Sequence, residues 1–270
     1  MILFATVMVF YLVAALGHLL SLAVKRITLA RASSWVLLAA AAFHGLFIAV
    51  RWIEFGAPPV VSVYDSLGFL SWAVTAIYLF AQWRTQTTVL GAVAAPAAFG
   101  MIMISSWPTT VDVGVLSFAL KSGWAVAHIV CTLAGEAFLC MACCAAIVYL
   151  IQDRLLKRKR LNALSRYLPS LGDLDRVLHV CIVSGFTLFT LGIFLGLLRA
   201  RAVWGAAWHW DPKFIIVFVS WFFFALLLHQ RLALGWKGKK SAVLTVVAFV
   251  VLIFAFFGDG ILFGTIHRFS

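Results

Sequence analysis

Charge is scarce in this sequence. Only 11% of its 270 residues are Asp, Glu, Lys or Arg, where a soluble domain of this length carries roughly 25%. Acidic residues are the scarcest, with nine against 21 Lys and Arg. Polar stretches are missing too, apart from one at about residues 152–177. These absences exclude a soluble globular fold: with 64% hydrophobic residues, the apolar excess is too large for one core and has to face lipid. Apolar–polar alternation of period two is also absent, which excludes an outer-membrane barrel. An all-α polytopic membrane bundle remains.

The net charge of +12 does not indicate nucleic acid, because the basic residues lie in short connections between apolar runs, as membrane topology requires. Cysteine is limited to five residues, Cys131, Cys140, Cys143, Cys144 and Cys181, all inside apolar runs. There they pack well as small polarizable side chains. Cys140 and Cys143 form a CxxC, but on a lipid-embedded stretch, where packing is favoured over redox chemistry. No CxxCH occurs, so the chain binds no haem covalently in the manner of a c-type cytochrome. No repeat and no second soluble domain is evident.

Eight apolar runs are present, near 1–24, 34–51, 66–83, 88–106, 124–151, 178–200, 213–233 and 241–258. Each is long enough to cross a bilayer as a helix. The first run lacks a small-residue cleavage site and ends at Lys25-Arg26, so it reads as a retained helix. Fifteen of the 21 basic residues fall in the odd-numbered connections. The positive-inside rule then sets both termini on the extracytoplasmic side of an inner, cytoplasmic-type membrane. The 52–65 loop, the Trp-rich loop at about 199–213 and the C-terminal tail share that outer side. The basic run Lys157-Arg158-Lys159-Arg160 reads as a cytoplasmic anchor beside anionic lipid.

Within the outer loop, Trp204, Trp208 and Trp210 offer wide aromatic faces, and Gly205 allows close backbone approach. A single interfacial Trp is ordinarily a membrane anchor, but three within seven residues, closed by Asp211-Pro212-Lys213, exceed what anchoring requires. The pattern suits a flat aromatic ligand such as haem. His128 at the head of the fifth run and His267 in the tail flank the loop at similar depth. They read either as an axial pair for haem iron or as two interfacial histidines satisfied by water. Arg199, Arg201, Lys213 and Arg268 offer partners for haem propionates, with snorkelling as the alternative. His229 lies about 24 Å along the seventh helix from Lys213, near the inner leaflet. His18 and His179 fall at similar inner depth, with His44 mid-span. Glu136, mid-span in the fifth run, is either a proton relay or a cross-helix bond. An ionisable group in a span is a functional candidate by default.

Arg51-Trp52, Pro58-Pro59, Tyr64-Asp65-Ser66-Leu67, Trp124 with His128, Leu168-Pro169-Ser170-Leu171, Leu174-Asp175, Gly185-Phe186, Leu191-Gly192-Ile193, Trp204-Gly205, Trp208, Trp210-Asp211-Pro212-Lys213, His229, Gly235-Trp236 and His267 occur in that order. In order and spacing the chain, from about residue 40 onward, resembles the CcsA/ResC group of cytochrome c biogenesis proteins. That group belongs to the haem-handling superfamily named for its WWD loop.

The resemblance implies a single haem-handling transmembrane domain over 1–270, with haem b as the cofactor. It makes His128 and His267 the axial ligands of an outer haem on the loop formed by Trp204, Gly205, Trp208, Trp210 and Asp211. It gives His229 an inner haem whose second histidine comes from a CcsB-type subunit. The partners it implies are that subunit, apocytochrome c with its CxxCH, and a thiol-reducing protein. The implied reaction is thioether formation by a synthase, or haem lyase, with positioning as the protein's main contribution. Phe214 follows Lys213 where the family has Glu, Asp65 stands for Glu after Tyr64, and His209 replaces a common Ser. His209 offers an extra ligand near the haem. Two further readings stay open: a haem exporter or chaperone without synthase activity, and a b-type electron-transfer subunit.

Overall fold

The apolar runs form helices because an isolated backbone amide or carbonyl has no partner in lipid, and a helix satisfies each within its own segment. A computed structural model describes residues 2–56, 58–60, 62–85, 87–107, 123–159, 164, 167–204 and 212–261. It contains α1 (Ile2–Val24), α2 (Ile27–Phe55), α3 (Val63–Thr85), a 3-10 turn (Thr88–Leu90) leading into α4 (Gly91–Ser105), α5 (Gly123–Lys157), α6 (Leu171–Trp204), α7 (Pro212–Ala233) and α8 (Lys239–Ile261). Eight spans, with the 3-10 turn and α4 as one, are long and apolar enough to cross a membrane, and no strand occurs among the described residues. The all-α polytopic reading holds.

Three helices extend six or seven residues beyond one end of their apolar runs. α2 starts seven residues early, at Ile27, after a two-residue turn in which Lys25 takes a left-handed φ of 59°. α5 continues to Lys157, where Lys157 pairs with Asp153 one turn back at 2.9 Å. α6 starts at Leu171 because Ser170 and Asp173 cap it: Ser170 Oγ donates to Asp173 Oδ2 at 2.6 Å and accepts from the Asp173 amide at 3.1 Å. This side-chain cap satisfies an orphan donor of the first turn. Ser62 and Asp65 cap α3 in the same way, and Asp65 also approaches Arg51 at 3.8 Å.

α5 is the most buried span and packs on α3, α6 and α8. α1 and α2 pair at one flank and reach the rest through α3 and α4. Polar side chains close these contacts: Trp72 Nε1 donates to the Ala41 carbonyl at 3.0 Å, Ser71 Oγ to Ala98 at 2.8 Å and Tyr78 OH to Thr88 at 3.1 Å. Exposed tryptophans collect at the helix ends. Trp52, Trp107 and Trp124 lie at one side of the bundle, Trp35 and Trp83 at the other. They form the paired aromatic belts of a spanning protein. Cys140, Cys143, Cys144 and Cys181 are buried free thiols and Cys131 is half-buried, so the cysteines are packing groups here.

Candidate functional site

His128 occupies the second turn of α5 and faces α6. Along α5, His128, Thr132, Gly135 and Leu139 lie three or four residues apart, which puts them on one helix face. Gly196, Gly192, Phe189 and Gly185 form the matching stripe on α6. Gly135 sits against the Phe189 backbone, Gly185 against Leu139, Gly192 against Thr132 and Gly196 against the His128 ring. Small residues let two membrane helices approach closely, as in the G-x-x-x-G pattern that Gly192 and Gly196 form.

That closeness fixes the imidazole. His128 Nδ1 lies 2.7 Å from the Gly192 carbonyl oxygen. A carbonyl only accepts, so Nδ1 carries the proton and the basic lone pair belongs to Nε2. A metal-binding histidine uses this tautomer, with its other nitrogen donating to a carbonyl. The half-buried ring therefore has the chemistry of an axial haem ligand. Its backbone is held as well, with Thr132 Oγ1 donating to the His128 carbonyl at 2.8 Å.

His229 belongs to α7, which is pinned to α6 on either side of it. Eight residues earlier, Trp221 Nε1 donates to Thr190 Oγ1 at 2.9 Å, with its ring 5.6 Å from Phe186. Two residues later, Arg231 grips Asp175 bidentately, Nη1 to Oδ1 at 3.1 Å and Nη2 to Oδ2 at 3.0 Å. Arg231 Nη1 also donates to Ser241 Oγ of α8 at 2.6 Å, and the Gly238 amide donates to Asp175 Oδ1 at 3.2 Å. At 100° per residue His229 lies about 160° round the helix from Arg231, and its side chain is exposed. These two attachments set His179, half-buried on the α6 stripe of Asp175, Phe186 and Thr190, at the depth of His229.

The two remaining candidates lie elsewhere. His18 is 1% exposed, edge-on to Tyr78 at 5.8 Å, and neither of its ring nitrogens has a hydrogen-bond partner among the described residues. His44 is equally buried, with Nδ1 3.3 Å from Tyr11 OH. Both belong to the α1–α2 flank, whereas His179 and His229 stand on α6 and α7. Glu136 is buried on α5. Arg199 is half-buried and Arg201 exposed in the last turns of α6. Trp204 ends α6, and Pro212 and Lys213 open α7, where a first-turn proline loses no hydrogen bond. Gly205, Trp208, His209, Trp210, Asp211 and His267 lie outside the described residues.

Sequence reasoning alone missed the glycine seat of His128, although Gly192-x-x-x-Gly196 was visible. It also missed the Asp175–Arg231 clamp, because Arg231 reads as one more basic residue of a connection. Among the described residues no group of three or more His, Cys, Asp or Glu could hold a metal ion.

The family described as cytochrome C assembly protein matches residues 60–267. The chain is 28% identical to cytochrome c biogenesis protein CcsA of Synechocystis, with 83% of each covered. It is 30% identical to that of Chlorella vulgaris, over 83% of this chain and 81% of the relative. With the Chlamydomonas reinhardtii protein it shares 31% identity, over 83% of this chain and 64% of the relative. No solved structure matches the chain.

Proposed function

Because the chain belongs to the cytochrome c assembly protein family, with a role in cytochrome c biogenesis, we propose that it carries haem b as cargo and presents it for covalent attachment. His128 and His267 hold the iron on the outer side, and the loop through Trp204, Gly205, Trp208, Trp210 and Asp211 takes the porphyrin face. The 2.7 Å bond from His128 Nδ1 to the Gly192 carbonyl is the observation that carries this reading, because it leaves Nε2 as the ligating nitrogen. The acceptor is the CxxCH of apocytochrome c. Each cysteine adds S–H across one haem vinyl group, forming a C–S bond on one vinyl carbon and a C–H bond on the other. No electron is gained or lost, so the protein's task is to hold the vinyl edge beside two reduced thiols. A thiol-reducing partner keeps those thiols available.

His229 serves an inner haem on its way outward. Its exposure on the flank of α7, turned away from the Arg231 clamp, suits a ligand completed by a second subunit, of the CcsB type. The positive-inside pattern of the loops supports an outward-facing WWD loop and two extracytoplasmic termini in a cytoplasmic-type membrane.

The purified chain is expected to show split low-spin bands on reduction, and His128→Ala with His267→Ala to abolish those of the outer site. An unchanged spectrum would refute the outer site. Co-expression with the CcsB-type subunit and a CxxCH reporter, in a host without its own maturation system, tests the chemistry. Covalent haem on the reporter supports the synthase, and haem transferred without a covalent bond supports a chaperone.

A further inference from the structure

In an α-helix the carbonyl of residue 192 already accepts the amide of residue 196. Its second lone pair faces sideways and is normally screened by the side chain four residues on. Here that residue is Gly196, which screens nothing, and the His128 ring comes through the opening. A Cβ on Gly196 would stand 2.7 Å from His128 Cε1, 3.0 Å from Nδ1 and 3.4 Å from Nε2. The ring therefore lies flush against the glycine while Nδ1 reaches the Gly192 carbonyl at 2.7 Å. Gly192 is needed for the same approach, because a side chain there would meet the Thr132 backbone nitrogen at 2.9 Å and Cα at 3.0 Å.

We infer that Gly192 and Gly196 are positioning residues for the outer haem ligand: one supplies the carbonyl that orients His128, the other the space that lets the ring reach it. The inference rests on the reading of His128 as an iron ligand. It adds a coupling, since Gly196 precedes Trp204 by eight residues, about 12 Å of the same helix. The helix that orients the ligand thus also delivers the aromatic loop, and a shift of α6 moves both together. The carbonyl partner makes Nε2 a stronger donor. A stronger imidazole donor favours ferric over ferrous iron, so the seat holds the haem's midpoint potential down.

The test uses the full chain in detergent, loaded with haem, and compares wild type, His128→Ala and Gly196→Ala. Gly196→Ala is expected to retain haem roughly 10–100-fold more weakly, as with the loss of other outer-shell partners of a ligating histidine. Its midpoint potential should rise and its low-spin bands fade, with added imidazole restoring the bands. If His128→Ala leaves bands and potential as in wild type, the ligand reading itself has failed. If His128→Ala changes them while Gly196→Ala behaves as wild type, the positioning inference alone is overturned. Should Gly196→Ala not fold, the double variant Gly196→Ala/His128→Ala decides. Recovery of folding identifies the ring as what the new methyl strikes. Continued failure would mean that Gly196 serves helix packing only, and would overturn the inference.

Discussion

Arg231 is 7% exposed, and a guanidinium at that depth is tolerable only with its donors answered. Asp175 and Ser241 answer them from two neighbouring helices. Asp175→Asn leaves a buried charge without its counter-ion, at a cost of about 3 kcal/mol. That is the low end for buried pairs, because the aspartate side chain is 19% exposed. Thermal unfolding in detergent should show the loss, and a wild-type melting temperature would mean that the pair is not structural. The chain shows Asp175 and Arg231 only as two charges 56 positions apart. Pairing over such a distance depends on helix register, which no local pattern carries. His128 was legible as a candidate from its place beside Trp124 and before the Trp-rich loop, whereas its tautomer became definable only once the Gly192 carbonyl was known to face it.

Among the elements, the α5–α6 pair is set by glycine. A Cβ on Gly135 would stand 2.6 Å from the Phe189 nitrogen and 2.9 Å from its Cα, and backbone cannot swing aside as a side chain can. Gly135→Ala should therefore force the helices apart and cost about 1–3 kcal/mol. Gly100→Ala, in open space on α4, should be neutral or stabilise by about 0.5–1 kcal/mol. In urea or thermal titrations Gly135→Ala should fall below wild type while Gly100→Ala holds or rises, and equal shifts would remove the close-approach argument. Hydropathy reveals the helices because lipid demands long apolar runs, but it misses their ends. Leu171–Val177 holds Asp173, Asp175 and Arg176, so it is too polar for an apolar run, although the Ser170–Asp173 cap makes it helical.

For the whole molecule, orientation is the open proposal, and the buried native thiols offer a way to test it. Cys140, Cys143, Cys144 and Cys181 are buried and Cys131 is half-buried within a span, so a single added cysteine at either aqueous face should dominate labelling. With a membrane-impermeant maleimide on intact cells, Trp107→Cys should react and Lys159→Cys should not until the membrane is opened. The reverse pattern would invert the proposed topology. α5 is longer than the membrane is thick. Its 35 residues extend about 52 Å, while hydrocarbon about 30 Å thick occupies at most about 39 Å even at a tilt of about 40°. At least about 13 Å of its length must extend beyond the hydrocarbon, and with Trp124 marking one boundary the surplus falls at the Lys157 end. At physiological salt the potential of anionic headgroups falls by a factor e every ~8 Å. At that tilt Lys157, at the tip, rises about 10 Å above the hydrocarbon, a few ångströms past a headgroup layer about 5–7 Å thick, so it reaches water while staying well inside one screening length of anionic lipid.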